Sequence, residues 1–173
     1  MKTSNKSTNA SKTKETKSTP VNAIKLLTQD HREVKELFDQ YEKLVDKKAS
    51  NAERKELAQH ICAMLTIHAK IEEEVFYPAA RKEFNDKDDA LIDEADVEHD
   101  SAKELIAQIM AMKPSDDHYD AKVKVLGEYI THHVKEEEHE MFTKAKKSNM
   151  DLQELGEEML VRKEQLITEL ESN

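Results

Sequence analysis

Two phrases of the chain, HAKIEEEVFYP at residues 68–78 and HVKEEEHEMFT at 133–143, set a histidine four residues ahead of a glutamate and follow it with an apolar pair. Residues four apart on a helix lie on one face, one above the other, so His68 with Glu72 and His133 with Glu137 can each offer an imidazole and a carboxylate to the same ligand. These donors suit iron, manganese or zinc. Alone the spacing says little in a glutamate-rich chain, and His132 with Glu136 satisfies it as well. The weight comes from where these residues and two further histidines, His31 and His99, fall in the apolar pattern.

That pattern is helical throughout. From a Thr19 cap and Pro20, positions Ile24, Leu27, His31, Val34, Phe38, Tyr41 and Val45 alternate in steps of three and four, the seam of a bundle helix. The capping box Ser50-x-x-Glu53 opens a second helix through Leu57, Ile61, Met64, His68, Ile71 or Glu72, and Val75, which Pro78 should kink or end. After a connector at 85–89, Ile92, Ala95, His99, Ala102, Ile106 and Ile109 mark a third helix that stops before Pro114. A fourth, from about Ser115, carries Val123, Leu126, Ile130, His133, Glu137 and Met141, and a last one near residues 151–170 shows only packing residues such as Leu152, Leu155, Met159 and Leu166. The expected fold is all-α, an antiparallel up-down four-helix bundle with an additional C-terminal helix.

Helices joined by short loops pack antiparallel, so residues equally far from the loop between them share a height. His31 and His68 are centred on the Ala49-Ser50 turn, Glu72 and His99 on Asn85-Asp86, and His99 and His133 on the turn after Pro114. Four imidazoles and two carboxylates are thus expected at one level, facing inward. An unpaired buried carboxylate is costly, and a metal supplies the missing partner. Two glutamates among four histidines are enough to bridge two ions. The remaining histidines, His60, His118, His132 and His139, lack the right combination of phase and height and read as surface residues. Glu73, Glu74, Glu136, Glu138 and Glu140 read as a solvated face, with Glu73 near enough to hydrogen-bond behind a ligand. Phe38, Phe76, Tyr77 and Met141 read as core that walls the pocket.

Composition agrees with a helical protein: 173 residues with 37% apolar, 37% charged, two glycines, three prolines and no tryptophan. Residues 1–19 form a Lys/Ser/Thr-rich stretch with little to bury, expected to be a disordered tail, with residues 20–173 as one metal-binding domain. The net charge of −10 includes that basic tail, so the body is more acidic still, and no nucleic acid is expected as a partner. No segment reads as a membrane span or secretory signal, which leaves the cytoplasm as the default compartment. The lone Cys62 cannot close an internal disulfide and reads as a small core residue.

The ordered set of phrases DHREVKELFDQYEKL around His31, HAKIEEEVFYP, EHD at His99 and HVKEEEHEMF resembles the hemerythrin family, specifically its bacterial-type HHE cation-binding branch, over roughly residues 21–170. The resemblance implies a four-helix bundle around a non-heme di-iron centre. His31, His68, His99 and His133 would be terminal ligands and Glu72 and Glu137 bridges, with zinc or manganese as other possible metals. The chain departs from the oxygen-carrying members in two ways. Ala95 and Lys103 stand where those carriers place a second histidine a turn from His99, and Glu138 stands where their last bridging aspartate lies. One nitrogen ligand fewer argues against reversible oxygen carriage and for a more easily oxidised pair with extra positions for water or peroxide.

Two functional classes follow. In one, the centre binds or senses O2 or NO, or simply holds iron. In the other it is a peroxidase or catalase-like enzyme protecting against oxidative or nitrosative stress, with repair of iron-sulfur clusters as a further form. A general acid beside the open position would favour the second class, and Tyr41 and Tyr129 are the candidates. The competing reading is a metal-free helical scaffold. Small diatomic ligands or peroxide are the expected partners, and the sequence is silent on oligomeric state.

Overall fold

A computed structural model describes residues 21–85 and 88–172; the expected N-terminal tail and the Thr19-Pro20 cap lie outside the described residues. Helix α1 spans Ala23–Asp46, and its N-cap is Asn22, whose side-chain oxygen accepts from the backbone amides of Ile24 and Lys25 at 3.1 and 3.3 Å. A short turn with Lys48 in the left-handed region leads to the expected capping box: Glu53 N donates to Ser50 Oγ at 3.3 Å, and Ser50 N donates to Glu53 Oε2 at 3.0 Å. Helix α2 spans Asn51–Ile71.

Pro78 does not end this helix. The run passes through a π-helical turn at Glu72–Phe76 and continues as α3, Tyr77–Glu83, with the proline in its first turn, where a missing amide donor costs least. Helix α4 spans Asp89–Ala111. Helix α5 spans Tyr119–Glu136, four residues later than the expected start, because His118 adopts a left-handed conformation that holds residues 114–118 in turns. A second π-turn at Glu137–Met141 then leads into the short α6, Phe142–Ala145, and α7, capped by Asp151, spans Leu152–Glu171. Among the described residues there is no strand, and no helix is long and apolar enough to cross a membrane.

Helix α1 packs on α2, α5 and α7, and α4 packs on α5 and α2, the neighbour relations of an antiparallel four-helix bundle with a fifth helix laid across one side. Gly156 makes that crossing possible: a Cβ there would stand 2.4 Å from the Val21 carbonyl oxygen, so only glycine lets α7 approach the start of α1.

The interior is layered. One apolar cluster joins Ile24, Leu27, Ile71, Phe76, Phe142 and Met159; another, toward the opposite end, joins Val34, Ile61, Leu65, Ile109, Val123 and Leu126. Each fully buried aliphatic side chain contributes about 1.5–3 kcal/mol. Cys62 sits in the second cluster, where burial pushes its thiol up to about 11, consistent with a packing role. The buried polar residues recorded for the bundle are Asp30, His31, His68, Glu72, His99, His133 and Glu137, six of which are the expected site residues.

Candidate metal centre

The four histidines meet as two pairs. His31 Nε2 lies 3.1 Å from His68 Nε2, and His99 Nε2 lies 3.2 Å from His133 Nε2. Between the pairs stand the two glutamates. Glu72 Oε1 is 3.1 Å from His68 Nε2, and its Oε2 is 3.3 Å from His99 Nε2; Glu137 Oε2 is 3.3 Å from His31 Nε2 and 4.0 Å from His133 Nε2. Donor atoms of His31, His68, Glu72 and Glu137 all lie within 4.8 Å of one another, and so do those of Glu72, His99 and His133. Glu72 therefore belongs to two overlapping clusters.

Every ring has a carboxylate behind it. His31 Nδ1 bonds Glu138 at 2.9 Å, His68 Nδ1 bonds Asp30 at 3.4 Å, His99 Nδ1 bonds Glu73 at 2.8 Å and His133 Nδ1 bonds Glu98 at 2.7 Å. An ionised carboxylate only accepts, so each Nδ1 donates to its carboxylate and each Nε2 faces the centre, where it can give its lone pair to a cation. Lone pairs facing each other at 3.1–3.2 Å, beside carboxylate oxygens, repel unless a positive charge sits among them. Glu72 Oε1 and Oε2 and Glu137 Oε2 are buried without a hydrogen-bond partner, which for a neutral group already costs about 1–3 kcal/mol and for a charged one more. The donor set fits one or two divalent cations.

The electrostatics point the same way. Burial works to raise Glu72, but the charges of His68 and His99 outweigh it and hold its carboxyl well below the usual carboxylate range. Burial works to lower His68 and His99, yet Glu72, with Asp30 behind one ring and Glu73 behind the other, pushes them up to about 10 and about 9. Glu73 and Glu98 are held below the usual range, first by their bonds to His99 and His133. Asp30 ends below its ordinary value because His68 and Lys163 overcome its burial. The cluster is built to keep its carboxylates ionised around positive charge.

Several contributors escape the periodic reading. Glu138 stands behind His31 rather than on a solvated face, Glu98 and Asp30 do the same for His133 and His68, and Lys163 of α7 pairs with Asp30, so the last helix does more than pack. Tyr77, read as core that walls the pocket, does more than wall it. Its hydroxyl donates to Glu137 Oε1 at 3.4 Å and lies 3.4 Å from His99 Nε2, with its ring stacked on His99 at 5.5 Å. Burial and the nearby Glu137 raise its phenol well above the ordinary range. Of the two candidates for the acid, Tyr41 donates to Asp120 at 2.7 Å in the other apolar cluster, and Tyr129 is exposed. The π-turns explain the difference. The Tyr77 amide bonds the Glu72 carbonyl and the Phe142 amide bonds the Glu137 carbonyl, five residues back, which swings Tyr77 and Phe142 onto the face of the glutamates.

On the side toward the second apolar cluster the centre adjoins a cavity of about 30 Å³, edged by all four histidines and walled by Val34, Met64, Leu65, Ile106 and Ile130. Its volume suits one or two water-sized molecules.

Comparison with known proteins agrees with this geometry. A hemerythrin HHE cation-binding domain-containing protein of Mycobacterium kansasii has the same fold, at a TM-score of 0.68 and 27% identity, with 84% of this chain and 87% of that one covered. A DNA nickase of Nostoc sp. is 30% identical over 122 residues, which take in 70% of this chain but 33% of the nickase, so the chain spans about a third of the length of that relative. Residues 22–145, which carry every histidine and glutamate of the two clusters, match the hemerythrin HHE cation-binding domain. This chain belongs to that family and binds metal cations.

Proposed function

We propose that the protein houses a non-heme di-iron centre that takes up a small oxidant or diatomic ligand, O2, NO or peroxide, in the cavity beside the four histidines. His31 and His68 would hold one ion and His99 and His133 the other, with Glu72 and Glu137 shared between them. The observation that carries this reading is the pair of overlapping clusters joined through Glu72, whose two buried oxygens face opposite histidine pairs without a hydrogen-bond partner. When bound, iron supplies electrons and an open coordination position for the ligand. The chain supplies the rest: carboxylates that orient the rings, apolar walls that exclude bulk water, and a cavity of about 30 Å³ that limits the ligand to a few atoms.

A second reading, reduction of peroxide, draws on Tyr77. It is an O–H group facing the centre, 3.4 Å from both His99 and Glu137, and can hold or deliver a proton at its phenolic oxygen. No nicking reaction is carried over from the cyanobacterial relative: the shared part is about a third of that protein, and the net charge of −10 here disfavours a polyphosphate partner.

The test is metal content with the ultraviolet-visible spectrum before and after anaerobic reduction and on return of oxygen. Two irons per chain and an absorption that bleaches on reduction and recovers with oxygen support the reading. Zinc alone, or a spectrum indifferent to redox state, would refute it. Peroxide turnover by the loaded protein, lost in Tyr77→Phe, would favour the enzyme over the binding protein.

A further inference from the structure

The buried centre is reached differently from its two sides. On the α1/α2 side, the carboxylate behind His68, Asp30, is 5% exposed and capped by the Lys163 ammonium from α7, a charge that repels an approaching cation. On the α4/α5 side, the corresponding carboxylate, Glu98, has no such cover. Its Oε2 bonds His133 Nδ1 at 2.7 Å, while its Oε1 turns outward to His132 Nε2 at 3.8 Å, and His132 in turn lies 3.3 Å from Glu136 Oε1. Donor atoms of Glu98, His132 and Glu136 all lie within 4.8 Å of one another. The His132 side chain is 62% exposed, so this cluster meets solvent.

A crevice of about 20 Å³ adjoins it, lined by Glu98 and Glu136 of the cluster, by Glu94 and Ala95, and by His133 and Glu137 of the centre. The Glu137 side chain is 1% exposed, and its Oε2 has no hydrogen-bond partner. Through Glu98 and Glu136 the surface cluster thus shares a crevice with Glu137, a carboxylate of the centre with one oxygen that has no hydrogen-bond partner.

We propose that Glu98, His132 and Glu136 form a solvent-facing site for a divalent cation of the ferrous, cobalt or zinc class and pass it along the Ala95 crevice into the buried centre. The inference rests on the reading of that centre as a metal site. Glu98 links the two places, because one of its oxygens orients a ring of the centre and the other faces the outer cation. The site captures a hydrated ion, and exchange of its waters for Glu137 and His133 draws it inward.

The experiment is titration of the metal-free full-length protein with Co²⁺, followed by stopped-flow absorbance of its filling. His132→Ala combined with Glu136→Gln alters exposed or half-exposed residues and leaves the buried ligands in place. The wild type takes up two tightly held ions and a weaker third. The double variant keeps the two, loses the third and fills at least about tenfold more slowly at low cobalt, the scale on which local charge raises association rates. Ala95→Val, with its thermal midpoint checked, keeps the third ion but also fills slowly. Unchanged stoichiometry or an unchanged filling rate in the double variant would overturn the proposal while leaving the buried centre standing. If the wild type takes up no cobalt that His68→Ala removes, both readings fall.

Discussion

The two halves of the bundle solve one problem with one set of parts. In the first, α1 provides Asp30 and His31, and the α2 run provides His68, Glu72, Glu73 and, beyond the π-turn, Tyr77; in the second, α4 provides Glu98 and His99, and the α5 run provides His133, Glu137, Glu138 and Phe142. The wiring repeats as well. The acid just before a histidine braces the neighbouring helix's ring, Asp30 on His68 and Glu98 on His133, while the acid just after a shared glutamate reaches across the bundle, Glu73 to His99 and Glu138 to His31. Tyr77 stacks on His99 as Phe142 stacks on His31, at 5.5 and 5.8 Å. The halves differ at several places: a hydroxyl is present on Tyr77 and absent from Phe142, α7 covers Asp30 but not Glu98, and Lys103 pairs with Glu73. Under the di-iron proposal this repeat would give two similar ion positions, and its breaks would mark where chemistry and access differ.

The largest effect expected is from the shared glutamates. Glu72→Gln and Glu137→Gln should each weaken binding of the ion pair by more than the roughly 10–100-fold that is usual for a residue behind a ligand, measured by competition with a chromogenic chelator. A Glu137→Gln protein that binds as tightly as wild type would break the equivalence. Next come the bracing acids. Asp30→Asn and Glu98→Gln should each cost about 10–100-fold in affinity, by similar factors, in the same assay. A large effect from only one would show that the α7 lysine, and not the repeated wiring, sets ring orientation.

Gly156→Ala tests the element that only one half owns. Its Cβ meets backbone rather than a flexible side chain, so overpacking of about 1–3 kcal/mol is expected, seen as a lower thermal midpoint by circular dichroism. The smallest change in stability is expected from Tyr77→Phe, where the lost hydrogen bond is worth about 0.5–1.5 kcal/mol. Metal content should persist while peroxide consumption falls, and adding Phe142→Tyr asks whether a hydroxyl in the other half restores it.

Much of this was legible from phase and spacing. The three-four seams and the turn midpoints bring His31, His68, Glu72, His99, His133 and Glu137 to one level, because antiparallel helices convert sequence distance into height. Tyr77 was legible as a pocket wall but not as a hydroxyl beside the glutamates, since the reading assumed 3.6 residues per turn and a π-turn shifts everything after it. Of the bracing acids, Glu73 was legible behind a ligand, Asp30 and Glu98 drew no reading and Glu138 looked like surface; it remains 34% exposed while bonding a buried ring. A signal for them did exist in the duplication, as an acid before each of His31 and His99 and after each of Glu72 and Glu137. Lys163 had none, because its pairing with Asp30 joins residues far apart in sequence and depends on how α7 docks.

The central claim is two equivalent metal positions joined by two carboxylates. Anomalous diffraction at the iron edge, from crystals of protein loaded anaerobically with ferrous iron, tests it most directly. The account predicts two peaks, one on His31 and His68 and one on His99 and His133, with Glu72 and Glu137 between them. A single peak, or peaks elsewhere with Glu72 turned away, would contradict it.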